Sequence, residues 1–295
     1  MARRKKGSKL LLSLIAIIIL AIGTWKSGLV DEFVSSVEVD GSAEIHIVDV
    51  GQADCTLILT EDGNILIDAG DIDTKEDVAA YLQSVGVREL AYAVFTHPDA
   101  DHIGGAATVL RGFDVENVIL PVLDESDVPT TKVYAEMLTA LEEDESITVI
   151  GAEAGTTYQL GDLHFEILAP LSDNYSNINN YSVSIMFDFG NTSMLFTGDA
   201  LEQSEREMLE KYSASKLKAD FFQAGHHGAS NANTVEFMRA VSPSIVAVSC
   251  GADNKYGHPT KEALAAYAEV GATVYRTDEL GTIIFVTDGK EIVKK

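Results

Sequence analysis

Between two apolar stretches the chain reads Phe95-Thr96-His97-Pro98-Asp99-Ala100-Asp101-His102-Ile103-Gly104-Gly105. His97, Asp99, Asp101 and His102 put four metal-capable side chains within six residues. Imidazoles mixed with carboxylates suit zinc, manganese or iron, and so acidic a set accommodates two divalent ions because its negative charge needs balancing. A single Asp101 would read as the N-cap of the following helix; four ligand types at this spacing, beside a Gly-Gly pair, read as a metal site. Three more places carry the same chemistry. Asp199 closes an apolar run at 194–197, where a carboxylate either caps the helix beginning near Leu201 or faces a cleft. His226 and His227 follow an apolar run at 221–223, and adjacent histidines in a turn can give one ring to a metal and one to a substrate. His226 is the first choice of ligand and His227 the second. His258, in Tyr256-Gly257-His258-Pro259, either protonates a leaving oxygen or caps loop backbone.

These side chains can act together only if the backbone delivers them to one cleft. The run at 90–96 is almost continuously apolar, as in a strand buried on both faces, and it ends at His97. Further strands are predicted at 43–50, 55–59, 65–67, 118–121, 163–168, 182–189, 193–197, 220–223, 245–249, 273–275 and 282–286. Asp62-Gly63 is expected to turn the first hairpin of that series. Helical periodicity marks 74–84, 102–110, 131–142, 201–212, 231–240 and 259–270. Two successive halves, each β-rich and then helical, predict an α/β fold of two mixed sheets with helices outside. No Pro-rich linker divides it, so 43–295 is one domain.

The 295 residues carry 46 acids against 21 bases, a net charge of −25, with 46% hydrophobic residues and two cysteines. That composition excludes a disordered chain and a disulfide-stapled miniprotein. Cys55 and Cys250 lie in apolar strands and are expected as buried free thiols. His46 and His164 read as strand residues, the latter half-exposed. Asp49 and Asp54 flank Gly51-Gln52 and are expected to shape a turn. Neither a Gly-x-Ser-x-Gly elbow nor a phosphate-binding Gly-rich loop is present. Arg3, Arg4, Lys5, Lys6 and Lys9 precede an apolar run at 10–22, the arrangement of an export signal or a membrane anchor. No small-x-small cleavage site follows closely, and Trp25-Lys26 looks interfacial. Residues 1–26 are therefore read as an anchor, with a cleaved signal as the alternative, and 27–42 as a connector.

His97-x-Asp99-x-Asp101-His102 with Gly104-Gly105 resembles the first metal motif of the metallo-β-lactamase superfamily, whose commoner form is His-x-His-x-Asp-His. The Asp99 variant resembles the extracellular hydrolase domain of ComEC-type competence proteins. Matching pieces follow in order: residues 48–54, 66–70, Asn179-Asn180-Tyr181-Ser182, Phe196-Thr197-Gly198-Asp199, Gly225-His226-His227-Gly228 and residues 254–259. The resemblance spans about 43–288 and lacks the competence protein's multi-helix channel. It implies an αβ/βα sandwich in which Asp199 bridges two metals, Gly198 permitting close approach. His97 and Asp99 would serve one ion, while Asp101, His102 and one of the His226-His227 pair would serve the other. Asp68 would orient a metal-bound histidine. The family commonly supplies a further histidine before the bridging aspartate. Here that place falls nearest Asn180, which loosens one site and makes manganese a rival to zinc.

The implied activity is metal-dependent hydrolysis by a metal-activated water, with a phosphodiester, and DNA in particular, as substrate partner. Asp99 or Asp101 would hold the water, and His227 or His258 would protonate the leaving oxygen. Another surface substrate (a phosphocholine ester, a lactone or a β-lactam) and a non-catalytic metal-binding role are the alternatives. The N-terminal segment would hold the catalytic domain outside a bacterial-type cell membrane, or release it as a secreted protein if cleaved. The acidic charge argues for small or single-stranded phosphodiesters over long duplex DNA, because a polyanion is repelled.

Overall fold

The computed structural model describes residues 41–295. The anchor read at 1–26, and the connector apart from its last two residues, lie outside the described residues. Among the described residues no helix is long and apolar enough to cross a membrane.

In chain order the strands are β1 (Ala43–Ile47), β2 (Thr56–Thr60), β3 (Gly63–Ile67), β4 (Glu89–Val94), β5 (Asp114–Leu120), β6 (Thr148–Gly151), β7 (Thr157–Leu160) and β8 (Leu163–Ala169). They continue as β9 (Ser184–Phe189), β10 (Thr192–Phe196), β11 (Phe221–Gln223), β12 (Ile245–Val248), β13 (Thr273–Arg276), β14 (Ile283–Thr287) and β15 (Ile292–Lys294). The first sheet has the order β15-β14-β1-β2-β3-β4-β5-β6 and the second β13-β12-β11-β10-β9-β8-β7. Each is mixed: β3 to β6 and β10 to β13 run parallel within their sheets, and the remaining pairs are antiparallel. The helices are α1 (Lys75–Ser84), α2 (Ala100–Ile103), α3 (Ala106–Gly112), α4 (Lys132–Glu143), α5 (Glu202–Lys211), α6 (Ala214–Leu217), α7 (Val235–Val241), α8 (Lys261–Glu269) and α9 (Thr277–Leu280).

Side-chain alternation sorts each central strand onto two apolar layers. Ile65 and Ile67 point between the sheets with Ile45, Ile58 and Val94, against Phe165, Phe187, Phe196 and Phe221 of the second sheet. Leu66, one residue out of phase, faces the other way with Leu57, Leu90 and Ala93, and is covered by Val78, Leu82, Val109, Met137 and Leu141 of α1, α3 and α4. The second sheet repeats this, with Leu195, Phe222 and Val246 covered by Met208, Phe237, Met238 and Tyr267 of α5, α7 and α8. Each such large side chain contributes about 1.5–3 kcal/mol on burial. The result is the expected αβ/βα sandwich.

Local departures have local causes. The expected helix at 102–110 is two helices, α2 and α3, separated by Gly104 and Gly105. A Cβ on Gly104 would lie 2.1 Å from the carbonyl carbon of Asp71, and one on Gly105 would lie 2.4 Å from Ala69 O. Backbone contact with the β3–α1 loop therefore takes precedence over helix continuity. The first hairpin turns at Glu61-Asp62, because Thr60 pairs with Gly63 inside the ladder. Strands β6, β7 and β15 went unpredicted because they are sheet edges whose residues are exposed or half-buried, without a buried alternation to read.

Candidate metal centre

The candidate ligands His97, Asp99, Asp101, His102, Asp199, His226 and His227 stand where central strands end. The 97–102 turn follows β4, Asp199 follows β10, and His226-His227 follow β11. Parallel strands that end together open a crevice at their carboxyl ends. The β1–β2 loop closes one side, with Asp54 N donating to Asp101 O at 3.0 Å and Gly70 N to Asp54 O at 2.8 Å. Gly198, at φ +51, lets the β10 turn press against Thr96, whose Oγ1 would be 2.8 Å from any Cβ there.

Four histidines converge on this crevice, and in each the Nδ1 is committed to an oxygen. His102 Nδ1 lies 2.7 Å from Asp68 Oδ2. Thr96 Oγ1 donates to Asp68 at 2.7 Å and so accepts from His97 Nδ1 at 3.2 Å. His227 Nδ1 meets Ser249 O at 3.1 Å and His226 Nδ1 meets Asn231 Oδ1 at 3.1 Å. An oxygen acceptor fixes the proton on Nδ1 and leaves the Nε2 lone pair for a ligand. The Nε2 atoms then surround one carboxylate: from Asp199 they lie at 3.2 Å (His102), 3.5 Å (His226), 3.8 Å (His97) and 3.9 Å (His227).

Among the described residues, Nε2 of His97, His102 and His227 and Oδ1 of Asp199 are buried without a hydrogen-bond partner. Buried polar atoms are normally satisfied, and four orphans aimed at one another mark the place of a cation. Donor atoms of His97, His102 and Asp199, and again of Asp101, His102 and His227, lie within 4.8 Å of one another. The residues present therefore fit divalent-metal binding. Burial works against charge here, yet mutual attraction prevails. His102 and His227 hold Asp199 well below the usual carboxylate range. In return Asp199, with Asp68 for His102 and Asp54 for His227, lifts both imidazoles well above theirs. A divalent ion would supply the positive charge that these surrounding carboxylates favour.

The structure distributes roles within the predicted set. His227 is buried, joins Asp101 and His102, and is steered by Ser249 and by Asp54 Oδ1 at 3.2 Å. His226, the first choice from sequence, is 24% exposed and stands on the other side of Asp199. The turn that separates them holds both at positive φ, 50° and 54°. With Nδ1 facing Ser249 O, His227 presents Nε2 to the Asp101–His102 group. Asp99 stays outside both triads at the mouth, 45% exposed, with Oδ2 3.7 Å from His97 Nε2. Asp199 does not cap α5: Asn180 Oδ1 does, accepting from Leu201 N and Ser204 N. Asn180 is thus turned away, and its neighbour Asn179 faces the site, with Nδ2 3.4 Å from Asp199 Oδ2.

Asp54 does more than shape a turn. It is buried against His227 and accepts from Gln223 Nε2 at 2.9 Å, a partner no local pattern signals. Asp68, as expected, orients His102. His258 borders the site; Gln52 Oε1 accepts from Gly251 N, which aims Gln52 Nε2 at His258 Nδ1, 3.4 Å away. Burial, with His226 and His227 beside it, pushes His258 down to about 4. The ring is neutral at pH 7, with its remaining proton on Nε2. His46 is buried against Tyr81 and Glu44, and His164 is an exposed residue of β8. Both cysteines are buried and free.

Comparison with known proteins agrees with this geometry. Residues 48–251 match the Metallo-beta-lactamase superfamily. ComE operon protein 3 of Bacillus subtilis (strain 168) is 27% identical over 263 residues, covering 83% of this chain and 33% of that protein. Competence protein ComA of Neisseria gonorrhoeae is 27% identical over 249 residues, covering 83% and 32%. The chain thus spans about a third of the length of these curated relatives. The metallo-beta-lactamase fold protein YhfI from Bacillus subtilis superposes with a TM-score of 0.54 at 10% identity, over 86% of this chain and 100% of that one, a likeness of fold. Ordered motifs, a two-sheet sandwich and a histidine–aspartate cluster at the strand ends lead to one conclusion: the chain belongs to the metallo-beta-lactamase superfamily, in a form similar to the corresponding domain of ComEC-type competence proteins.

Proposed function

We propose that this protein is a metal-dependent phosphodiesterase of the nuclease type. It prefers short or single-stranded phosphodiesters, uses two divalent ions (zinc or manganese), and is held at the outer face of a cell membrane by its N-terminal segment. The observation that carries the reading is the set of four buried, partnerless donor atoms on His97, His102, His227 and Asp199. Divalent ions, which His97, Asp101, His102, His227 and Asp199 would hold, would supply an acidified water and charge stabilisation at the attacked phosphorus. The chain's own residues supply the rest. Asp101 and Asp99, at 34% and 45% side-chain exposure, line the solvent side and accept hydrogen bonds from an incoming water. Asn179 Nδ2 fixes one Asp199 oxygen. His258, neutral and with Nδ1 occupied by Gln52, donates from Nε2 to a substrate oxygen.

A relative named as a competence protein supports a nucleic-acid substrate. The net charge of −25 supports the preference against long duplex, since conventional nucleases bind DNA through basic surfaces. The test is hydrolysis of bis(p-nitrophenyl) phosphate, single-stranded DNA and duplex DNA by the full chain with Mn²⁺ or Zn²⁺. We expect EDTA-sensitive turnover, faster on single strands, with duplex cleavage steady or rising as salt screens the repulsion. Absence of turnover on every phosphodiester with either ion would overturn the reading. Fractionation of cells with and without residues 1–26 tests the anchor.

A further inference from the structure

The loop between β12 and α8 is built around one side chain. Asn254 Oδ1 accepts from His258 N at 3.0 Å, while its Nδ2 donates to Gly251 O at 2.9 Å and His258 O at 2.6 Å. This closes the loop and raises Lys255, Tyr256 and Gly257 into solvent. Tyr256 is 57% exposed, the one aromatic among the exposed large apolar side chains of the described residues.

Its placement is specific. The Tyr256 ring stacks on His258 at 5.5 Å between centroids and 24° between planes. His258 in turn stacks on His227 at 6.3 Å and 25°. Three near-parallel rings thus lead from the surface to a histidine whose Nε2 is one of the orphaned donors. Lys255 Nζ lies over the Tyr256 ring, 4.9 Å from its centre, at the end of an exposed side chain. An exposed aromatic ring, an ammonium on a flexible stem that can swing from the ring to a phosphate, and stacked rings leading to the donor cluster form a combination suited to a single nucleic-acid strand: a base takes the ammonium's place on the ring, and positive charge tracks the backbone.

We propose that Tyr256 is a stacking platform for the nucleobase adjacent to the scissile phosphodiester, with Lys255 as the counter-charge for a neighbouring phosphate. The proposal rests on the phosphodiesterase reading above and deepens it. Stacking on a ring uses the π-face of any base, so the platform is tolerant of sequence. A base inside a duplex has both faces covered by its neighbours and cannot use it. Selection for single strands then has a structural source independent of net charge.

The test compares the full chain with Tyr256→Ala and Tyr256→Phe on a short oligothymidylate and on an abasic tetrahydrofuran oligomer of the same length, which keeps the phosphodiesters and lacks bases. Tyr256→Ala is expected to lower the ratio of kcat/KM on oligothymidylate to that on the abasic oligomer by about tenfold, the scale of one base–aromatic stack. Tyr256→Phe keeps the ratio. In EDTA, the wild type is expected to bind oligothymidylate more tightly than the abasic oligomer, and Tyr256→Ala erases that preference. Equal losses on both substrates would make Tyr256 a mere support for His258, and an unchanged ratio would also overturn the platform. If the wild type hydrolyses neither oligomer with either ion, the phosphodiesterase reading fails by itself, and the binding preference in EDTA still decides the platform.

Discussion

Replacing Asp68 by Asn changes one oxygen to an amide and leaves the shape intact. The carboxylate takes three hydrogen bonds, from Thr96 N at 2.8 Å, Thr96 Oγ1 at 2.7 Å and His102 Nδ1 at 2.7 Å. If the remaining oxygen keeps Thr96 N, the new NH₂ faces His102 Nδ1 and can only donate to it. The imidazole proton then moves to Nε2 and points at Asp199 Oδ1, 3.2 Å away, where a lone pair is required. Loss of such an orienting partner typically weakens metal binding 10–100-fold, or about 1.4–2.7 kcal/mol. The two hydrogen bonds to the replaced oxygen, from Thr96 Oγ1 and His102 Nδ1, also lose their charged acceptor, about 1.5–3 kcal/mol each, lowering Tm in EDTA by roughly 10 °C. The assay is competition for Mn²⁺ or Zn²⁺ against a chelating dye, run beside thermal unfolding in EDTA. A lower Tm with an unchanged metal Kd would refute the tautomer reasoning, leaving Asp68 a purely structural residue.

Asp199→Asn is expected to reduce hydrolysis to background and to lower bound metal, while the EDTA-treated variant still unfolds cooperatively; unchanged metal content would return Asp199 to an ordinary loop residue. His227→Ala is expected to cost more metal affinity than His226→Ala, because His227 is the buried member of the Asp101–His102 group; chelator competition reads the order, and the reverse order would contradict the geometry. Glu205, buried in α5 and accepting from Asn233 N and Thr234 N, is pushed by burial from 4.5 up to about 7. The folded state therefore holds this proton more tightly than the unfolded chain. The contribution to stability is greatest below pH 4.5, falls as pH rises to about 7, and is flat above. Denaturant unfolding of wild type and Glu205→Gln across that window is expected to differ in slope by about 3 kcal/mol in total; parallel profiles would show that Glu205 does not titrate there.

The metal-binding character of this protein was legible because His97, Asp101 and His102 converge through a single turn, with Asp99 at its mouth, and six residues of chain suffice to hold all four. The apolar runs that end at His97, Asp199 and His226 were equally legible, since a strand buried on both faces leaves an unbroken hydrophobic stretch. Those two features place a crevice at the strand ends, and the resemblance carried by the ordered motifs adds the sandwich and Asp199 to the donor set. Edge strands β6 and β7 carried no such stretch and were invisible.

Which ring of the pair joins the buried Asp101–His102 group depends on residues elsewhere in the molecule. His226 and His227 share a turn and both adopt positive φ; the difference lies in Ser249 O at the end of β12 and Asp54 from the β1–β2 loop, which meet only His227. Asn180 and Asn179 divide in the same way, because the open N-terminus of α5 claims the first and leaves the second to Asp199. Tyr256 read as one residue of a loop until the stacked rings beneath it connected it to the metal cluster. Spacing along the chain determines what a single turn can hold, whereas a choice between neighbouring side chains depends on hydrogen-bond partners that only the packing of the two sheets brings within reach.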